Sequence, residues 1–194
     1  MMDLLRRLLM KGGASAFVAA AAATGAKAQE AAPTPARPAN IPEGHPGEFD
    51  FLTGEWRIAH RWKRTPIGEF ESFTGEATVY GILGGICSVE ELRIPARDFN
   101  GLGLRLLDVN QKIWSDHWVN ANSGVVTTPG QLGGFVNGEG IFDVTDMEGD
   151  MPVIYRGIWD QITANACRWR QGASRDGGAT WDWGWIMEWQ RVNA

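Results

Sequence analysis

The chain has 194 residues, 44% of them hydrophobic, and a formal net charge of −5. A chain of this length forms one domain with a substantial core, and its acidic excess argues against nucleic acid and anionic membrane surfaces as partners. Ten tryptophans predict an aromatic-rich interior, an aromatic-lined cavity, or both.

Residues 1–28 have the pattern of an export signal. Arg6 and Arg7 precede a short, alanine-rich apolar stretch, and Ala26 and Ala28 are the small residues that a signal peptidase recognises. We expect cleavage after Ala28. The paired arginines resemble a twin-arginine signal, with a general secretory signal as the alternative. Because the apolar run is shorter than the roughly 20 residues that span a bilayer, we expect a periplasmic or secreted mature protein without a membrane span.

Residues 29–47 contain five of the nine prolines of the chain. Prolines at this density remove backbone donors and hold the chain extended. We therefore predict a proline-rich tether here, followed by one folded domain over residues 48–194.

From Gly54 onward, short alternating segments are separated by Gly, Asp and Asn, with hardly any helical period. This pattern predicts an all-β domain, and the tight turns favour a single closed antiparallel meander β-barrel of about nine or ten strands. The expected strands cover residues 54–64, 72–80, 86–94, 102–108, 112–120, 133–146 with a break near Gly138, 152–160, 165–174 and 180–192.

The first and last strands each carry a row of bulky side chains at alternate positions. Since alternate residues of a strand point to opposite faces, one face of the first strand holds Trp56, Ile58, His60 and Trp62. The last strand has Trp181, Trp183, Trp185, Met187, Trp189 and Arg191 in the same relation. If both rows face one interior, the sheet closes into a barrel and leaves no free edge.

Gly54, Glu55 and Trp56 at the head of the first strand resemble the Gly-any-Trp motif of lipocalin-like barrels, and Arg191 ends the last strand. The resemblance implies that Trp56 packs across the closed end of the barrel against Arg191. Such a cation–π contact contributes about 1 to 2 kcal/mol when it is desolvated.

The whole domain, over about residues 49–192, resembles a bacterial family of secreted calycin-type domains of unknown function. The opening Phe49, Asp50, Phe51, Leu52, Gly54 and Trp56 carry the resemblance. So does a closing part, which comprises Trp159, Asp160, Gln161, Ile162, Trp169, Gln171, Ser174, Asp176, Gly177, Gly178, Thr180, Trp181, Trp185, Ile186, Met187 and Glu188. The resemblance implies the fold and export of the protein, but no reaction.

Residues 174–181 also match the Asp-box of sialidase propeller blades. The motif stabilises a hairpin, because the Asp side chain binds turn amides and Gly accepts a positive φ. A propeller needs several copies over a longer chain, and this sequence has one. We therefore predict a hairpin here rather than a sialidase.

Titratable groups inside the barrel are the candidates for chemistry. His60 lies between Trp56 and Trp62 on the predicted inner face, so it is the candidate acid or base, although a core histidine used only for packing is the commoner outcome. His117 is expected to face outward and His45 to be solvated in the tether.

Carboxylates and one arginine offer further candidates. Glu90 and Glu91 are adjacent, so at most one faces inward. Arg105 would hold an anionic ligand if it pointed inward, although a solvated position is commoner. The three histidines lack the spacing of a metal site, and we expect none.

Cys87 and Cys167 lie in strand-like segments, where either a disulfide or two buried thiols would fit. No cofactor is expected. Nitrobindin-like barrels bind haem through a late histidine, whereas this chain has none after His117. No glycine-rich loop between a strand and a helix indicates a nucleotide.

Two functions follow from a tryptophan-lined barrel. The first is binding of a small hydrophobic or aromatic molecule in the periplasm, with a site predicted to comprise Trp62, Tyr155, Trp159, Trp183 and Trp185. The second is an enzyme of the cyclase, isomerase or lyase type in which His60 is the acid or base. A third interpretation is a small interaction module whose tryptophans fill a solid core.

Overall fold

The structure is a computed structural model that describes residue 38 and residues 40–192. The predicted export signal and most of the predicted tether lie outside the described residues. Within the described part of the chain, no helix has the length and apolarity that a membrane span requires.

Ten antiparallel strands form one closed barrel in the described residues. Each strand pairs with the next one in the chain, and the last pairs with the first, which confirms the predicted meander barrel. Three short 3-10 helices cover Asp50–Leu52, Leu83–Gly85 and Pro95–Arg97. The strands are β1 (Gly54–Trp62), β2 (Glu71–Ile82), β3 (Cys87–Ile94), β4 (Phe99–Asp108), β5 (Ile113–Asn120), β6 (Gln131–Val136), β7 (Glu139–Glu148), β8 (Met151–Asp160), β9 (Ala166–Ser174) and β10 (Asp182–Arg191).

The closing seam between β1 and β10 has a continuous register. Trp56 pairs with Arg191 at one end of the seam, and Trp62 pairs with Trp185 at the other. In β1 the even-numbered residues from Trp56 to Trp62 are buried while the odd-numbered ones are exposed. The alternation of bulky residues in this strand therefore does mark the inner face of the barrel.

One end of the barrel is plugged by the segment before β1. Phe49 is buried, and its ring lies 4.9 Å from that of Trp114 and 5.0 Å from that of Phe135. Both contacts are edge-on, the arrangement that the aromatic quadrupole favours. The backbone amides of Gly44 and Gly47 donate hydrogen bonds to the carbonyls of Lys112 and Gly85, so the last residues of the predicted tether are bound to the barrel.

Trp56 and Arg191 lie together at this plugged end. The guanidinium carbon of Arg191 is 4.3 Å from the centre of the Trp56 ring, and the indole N–H of Trp56 donates to the Leu52 carbonyl at 2.6 Å. Arg191 also donates to the carbonyls of Thr53 and Phe51. Trp56 and Arg191 thus link the first and last strands of the barrel to the segment that plugs it.

The end of β10 near Asp182 differs from the simple alternation that its sequence suggests. The pairing with β9 shifts between Trp183 and Trp185, at Gly184, and a bulge of this kind changes which residues face inward. Trp183 therefore lies on the outer face, where it stacks on Trp181 and lies 4.5 Å beneath the Arg170 guanidinium. The prediction that Trp181 and Trp183 point inward with Trp185 is wrong.

The segment resembling an Asp-box forms the hairpin between β9 and β10. The Asp176 carboxylate accepts hydrogen bonds from the Thr180 amide and hydroxyl and from the Ser174 hydroxyl. Trp181 donates to the Gly178 carbonyl. These bonds lower the pKa of Asp176, the largest contribution coming from the Thr180 hydroxyl.

Candidate functional site

A cavity of about 450 Å³ opens at the end of the barrel opposite the plug. Its mouth is formed by the β1–β2 connection at residues 63–66 and by residues 125–129 between β5 and β6. A volume in this range is typical of sites for small organic molecules. Among the described residues, its aromatic lining comprises Trp62, Trp118, Tyr155, Trp159, Trp169 and Trp185.

Glycines on the inner face give these rings room to lie against the barrel wall. A Cβ at Gly101 would lie 2.1 Å from the Trp118 ring, and a Cβ at Gly157 would lie 3.3 Å from the indole nitrogen of Trp169. The first distance is far too short for two carbon atoms that are not bonded to each other, so only glycine fits at position 101 in this arrangement. The wall therefore has no side chains at the positions where the indole rings lie against it. This is how a barrel of this size combines many aromatic residues with an open cavity.

The floor of the cavity carries an ion pair and a third charged group. Arg105 and Glu90 are 4% and 2% exposed, and Nη2 of Arg105 donates to Oε2 of Glu90 at 2.6 Å. Oδ1 of Asp116 lies 3.6 Å from Nε of Arg105. The Arg105 guanidinium also lies above the rings of Phe49 and Trp159, which places it between the plug and the cavity.

Burial and charge act in opposite directions on these groups. Burial acts to lower the pKa of Arg105, but Glu90 and Asp116 outweigh that effect and raise the pKa above its usual value. Burial also raises the pKa of Asp116, and the nearby Arg105 offsets only part of this increase. Asp116 therefore holds a proton to higher pH than an exposed aspartate does.

Several buried donors of the cavity-lining residues have no hydrogen-bond partner among the described residues. They are Nε and Nη1 of Arg105 and the indole nitrogens of Trp118 and Trp159. Buried donors in folded proteins are almost always paired, so these unpaired nitrogens are unusual.

Ion pairs brace the rim of the cavity. The Tyr155 hydroxyl donates to Glu148 at 2.7 Å, and Arg175 binds the same carboxylate through Nε and Nη2. Burial raises the pKa of Tyr155, and Glu148 adds to the effect, so this phenol stays protonated. Lys63 pairs with Asp182 across the β1–β10 seam.

His60 is fully buried and is not among the described residues that line the cavity. The indole N–H of Trp185 donates to its Nδ1 at 3.1 Å, and its ring stacks on Phe73 at 4.7 Å. Burial lowers the pKa of His60 to about 4, and Arg97 contributes further. The imidazole is thus neutral near pH 7, and in this structure it orients Trp185.

The other candidates from the sequence fall on both sides of the barrel wall. Glu90 and Arg105 point inward, while Glu91 is exposed and pairs with Arg93. His117 follows Asp116 on the alternate face of β5, where its ring bonds the Thr127 carbonyl and the Ser115 hydroxyl, and it also borders the cavity beside residues 125–129. His45 is exposed.

The two cysteines are free and buried. Burial raises the pKa of both thiols. Among the described residues there is no group of three side chains suited to hold a metal ion.

Four of the five predicted ligand-binding residues line the cavity, namely Trp62, Tyr155, Trp159 and Trp185. Trp183 does not, because of the bulge in β10. The sequence prediction missed Trp118, Trp169 and Asp116. Alternation within the predicted strand 165–174 would have indicated Trp169, since it shares a face with buried Cys167.

No family model and no curated protein matches this chain. Among solved structures, it is similar to a protein of unknown function from the DUF3598 family of Nostoc punctiforme, at 11% identity and a TM-score of 0.42. The match covers 79% of this chain and 53% of that protein, so the chain spans about half the length of the protein it matches. A likeness at this level carries no argument about function.

Proposed function

We propose that the protein is a lipocalin-like barrel that binds a small apolar or aromatic molecule in its tryptophan-lined cavity, in the periplasm or outside the cell. The observation that supports this most directly is the open cavity of about 450 Å³ with six aromatic side chains among its described lining residues. A solid interaction module would instead fill this space with side chains.

The burial of His60 favours binding over catalysis by that residue. A general acid or base must come within about 3 Å of the proton it transfers. His60 is 1% exposed and is held by Trp185 and Phe73. With a pKa of about 4, it is also a weak base at neutral pH.

The ion pairs at the rim, Lys63 with Asp182 and Arg175 with Glu148, hold the mouth of the cavity open in a shape that a ligand can enter.

The proposed location rests on the export signal predicted for residues 1–28. We expect the fusion of residues 1–28 to a reporter to direct export, and Arg6→Lys with Arg7→Lys to block it if the route is the twin-arginine one.

Mass spectrometry of small molecules that co-purify with the mature protein tests the binding role. We expect a molecule that quenches tryptophan fluorescence when it is returned to the emptied protein. Trp185→Leu, which alters the cavity wall, should weaken this binding, whereas Trp183→Leu on the outer face should leave it unchanged. Protein that is always empty, and whose fluorescence no aromatic compound changes, would contradict the proposal.

A further inference from the structure

The cavity floor has an excess of hydrogen-bond donors. Arg105 donates one hydrogen bond to Glu90, and its Nε forms an ion pair with Asp116 at 3.6 Å, but neither Nε nor Nη1 has a hydrogen-bond partner among the described residues. The indole nitrogen of Trp159, a residue that is 1% exposed, is unpartnered as well. An unpaired buried donor costs about 1 to 3 kcal/mol, and more when it is charged. These nitrogens are enclosed, but Arg105 and Trp159 line the cavity, so an acceptor that a turn of the guanidinium brings within reach would be favoured.

The nearby carboxylates do not accept hydrogen bonds from these unpaired donors of Arg105. Glu90 is engaged by Nη2 of Arg105, and Oδ1 of Asp116 stays 3.6 Å from Nε, beyond a normal hydrogen bond. Because burial raises the pKa of Asp116, this carboxyl also has a tendency to carry a proton. In that form it would be one more donor and would not repel an oxygen atom.

We propose that the ligand has an aromatic or apolar body that ends in a carbonyl or carboxylate oxygen, and that Arg105 binds this oxygen at the cavity floor. The inference rests on the proposed function, since it names the chemistry of the molecule that the same cavity takes. The indole walls bind the body of the ligand, and Trp159 and Asp116 flank the oxygen.

A ligand that ends in an amine is the alternative, and the charged groups of the cavity floor favour it less. An ammonium group would pair with Asp116, but it would approach the Arg105 guanidinium, which is 3.6 Å from that carboxylate. It would also leave the free donors of Arg105 and Trp159 unsatisfied. An oxygen acceptor, by contrast, uses those donors and brings no second cation to the floor.

The test uses four naphthalenes that differ only in the group at one ring position: acetyl, carboxylate, aminoethyl or ethyl. Calorimetric titration of the mature protein gives the affinity for each. We expect the acetyl or the carboxylate compound to bind at least about tenfold more tightly than the ethyl compound, since a hydrogen bond to a charged donor is worth about that much.

Arg105→Met alone would leave Glu90 buried without its partner, so the test uses Arg105→Met together with Glu90→Leu. Replacement of a buried ion pair by apolar residues of similar size is often tolerated. The double variant should bind the four compounds with nearly equal affinity. Arg93→Met is the matched control, because Arg93 bonds Glu91 and Thr78 on the outer face, and it should keep the preference.

The outcomes separate the inference from the proposed function. If the ethyl or aminoethyl compound binds as tightly as the oxygen-bearing ones, or if the double variant keeps the preference, the role of Arg105 is wrong while the binding function stands. If none of the four compounds binds, the proposed function fails and the inference fails with it.

Discussion

His60 illustrates at the scale of one residue how burial decides what a side chain does. The sequence placed it correctly on the inner face of β1, between Trp56 and Trp62, and all three are buried. The sequence contains no information on the Trp185 hydrogen bond or the Phe73 stack that enclose it. The hydrogen bond joins residues 125 positions apart, and the stack depends on the β1–β2 register that pairs His60 with Phe73.

The lowered pKa of His60 predicts a pH effect on stability. The unfolded residue titrates near 6.5 and the folded one near 4, so the unfolded chain binds the extra proton in between. Stability must therefore fall as the pH falls through this window. Between pH 7 and pH 4.5 we expect the unmodified protein to lose about 2 to 3 kcal/mol more than His60→Gln.

Chemical unfolding of both proteins at the two pH values measures this difference. Glutamine keeps an acceptor for the indole N–H of Trp185 and does not titrate, so other groups affect both proteins alike. Equal losses in the two proteins would show that His60 can be protonated without penalty, and the acid–base hypothesis for this residue would regain support.

Arg105 and Asp116 show why inward polar residues were hard to predict. In the middle of β4, between the buried Phe99 and Leu107, the inward positions hold Gly101, Gly103 and Arg105, while the outward leucines Leu102 and Leu106 are each 36% exposed. The hydrophobic pattern in the middle of this strand is thus inverted with respect to the core. Alternation alone assigns the leucines to the interior.

At the scale of elements, Gly101 on β4 controls the shape of the cavity wall. Gly101→Ala would place a carbon 2.1 Å from the Trp118 ring, so the ring must move into the cavity or the strand must shift. We expect a loss of about 1 to 3 kcal/mol in stability and weaker ligand binding. Gly184→Ala is the control, because a Cβ there meets nothing within 4 Å, and it should be nearly neutral in thermal unfolding.

The hairpin between β9 and β10 should depend on the ionised form of Asp176. Its pKa is lowered by bonds from Thr180 and Ser174, so its contribution is present above the unfolded pKa and is lost as the pH falls through the folded one. Asp176→Ala should lower the melting temperature at neutral pH and speed amide exchange at Thr180. Unchanged exchange would mean that the turn holds without the carboxylate.

The strands themselves were largely predictable, since turns with Gly, Asp and Asn separate them and their alternation is clear. The exception is the bulge in β10, which turns Trp183 outward. An isolated glycine inside a strand pattern is a signal for a bulge, and Gly184 was that signal. Without the partner strand, however, the sequence does not show whether the residues before Gly184 or those after it change the face to which they point.

At the scale of the whole molecule, closure was predictable and the cavity was not. Trp56 and Arg191 are paired residues at one end of the β1–β10 seam, as a closed sheet requires. Whether the interior is filled depends on the summed volume of rings and inward glycines from all the strands. A local sequence pattern does not contain that sum, so the sequence does not distinguish an open cavity from a solid core.

We propose that the open end of the barrel is a binding cavity, and a cavity-filling variant tests this proposal. Ala173 lies on the cavity wall, so Ala173→Trp puts a large ring into the space that a ligand would occupy. Ala59 is exposed on the outside of β1, and Ala59→Trp is the same change with no effect on the cavity. Both variants should fold, since neither replaces a packed side chain.

The decisive measurement is a calorimetric titration of these two variants and the unmodified protein with phenylnaphthylamine, a neutral aromatic probe. We expect one probe molecule to bind per chain of the unmodified protein and of Ala59→Trp, and none to bind to folded Ala173→Trp. Equal binding by all three proteins would place the probe outside the barrel and contradict the account.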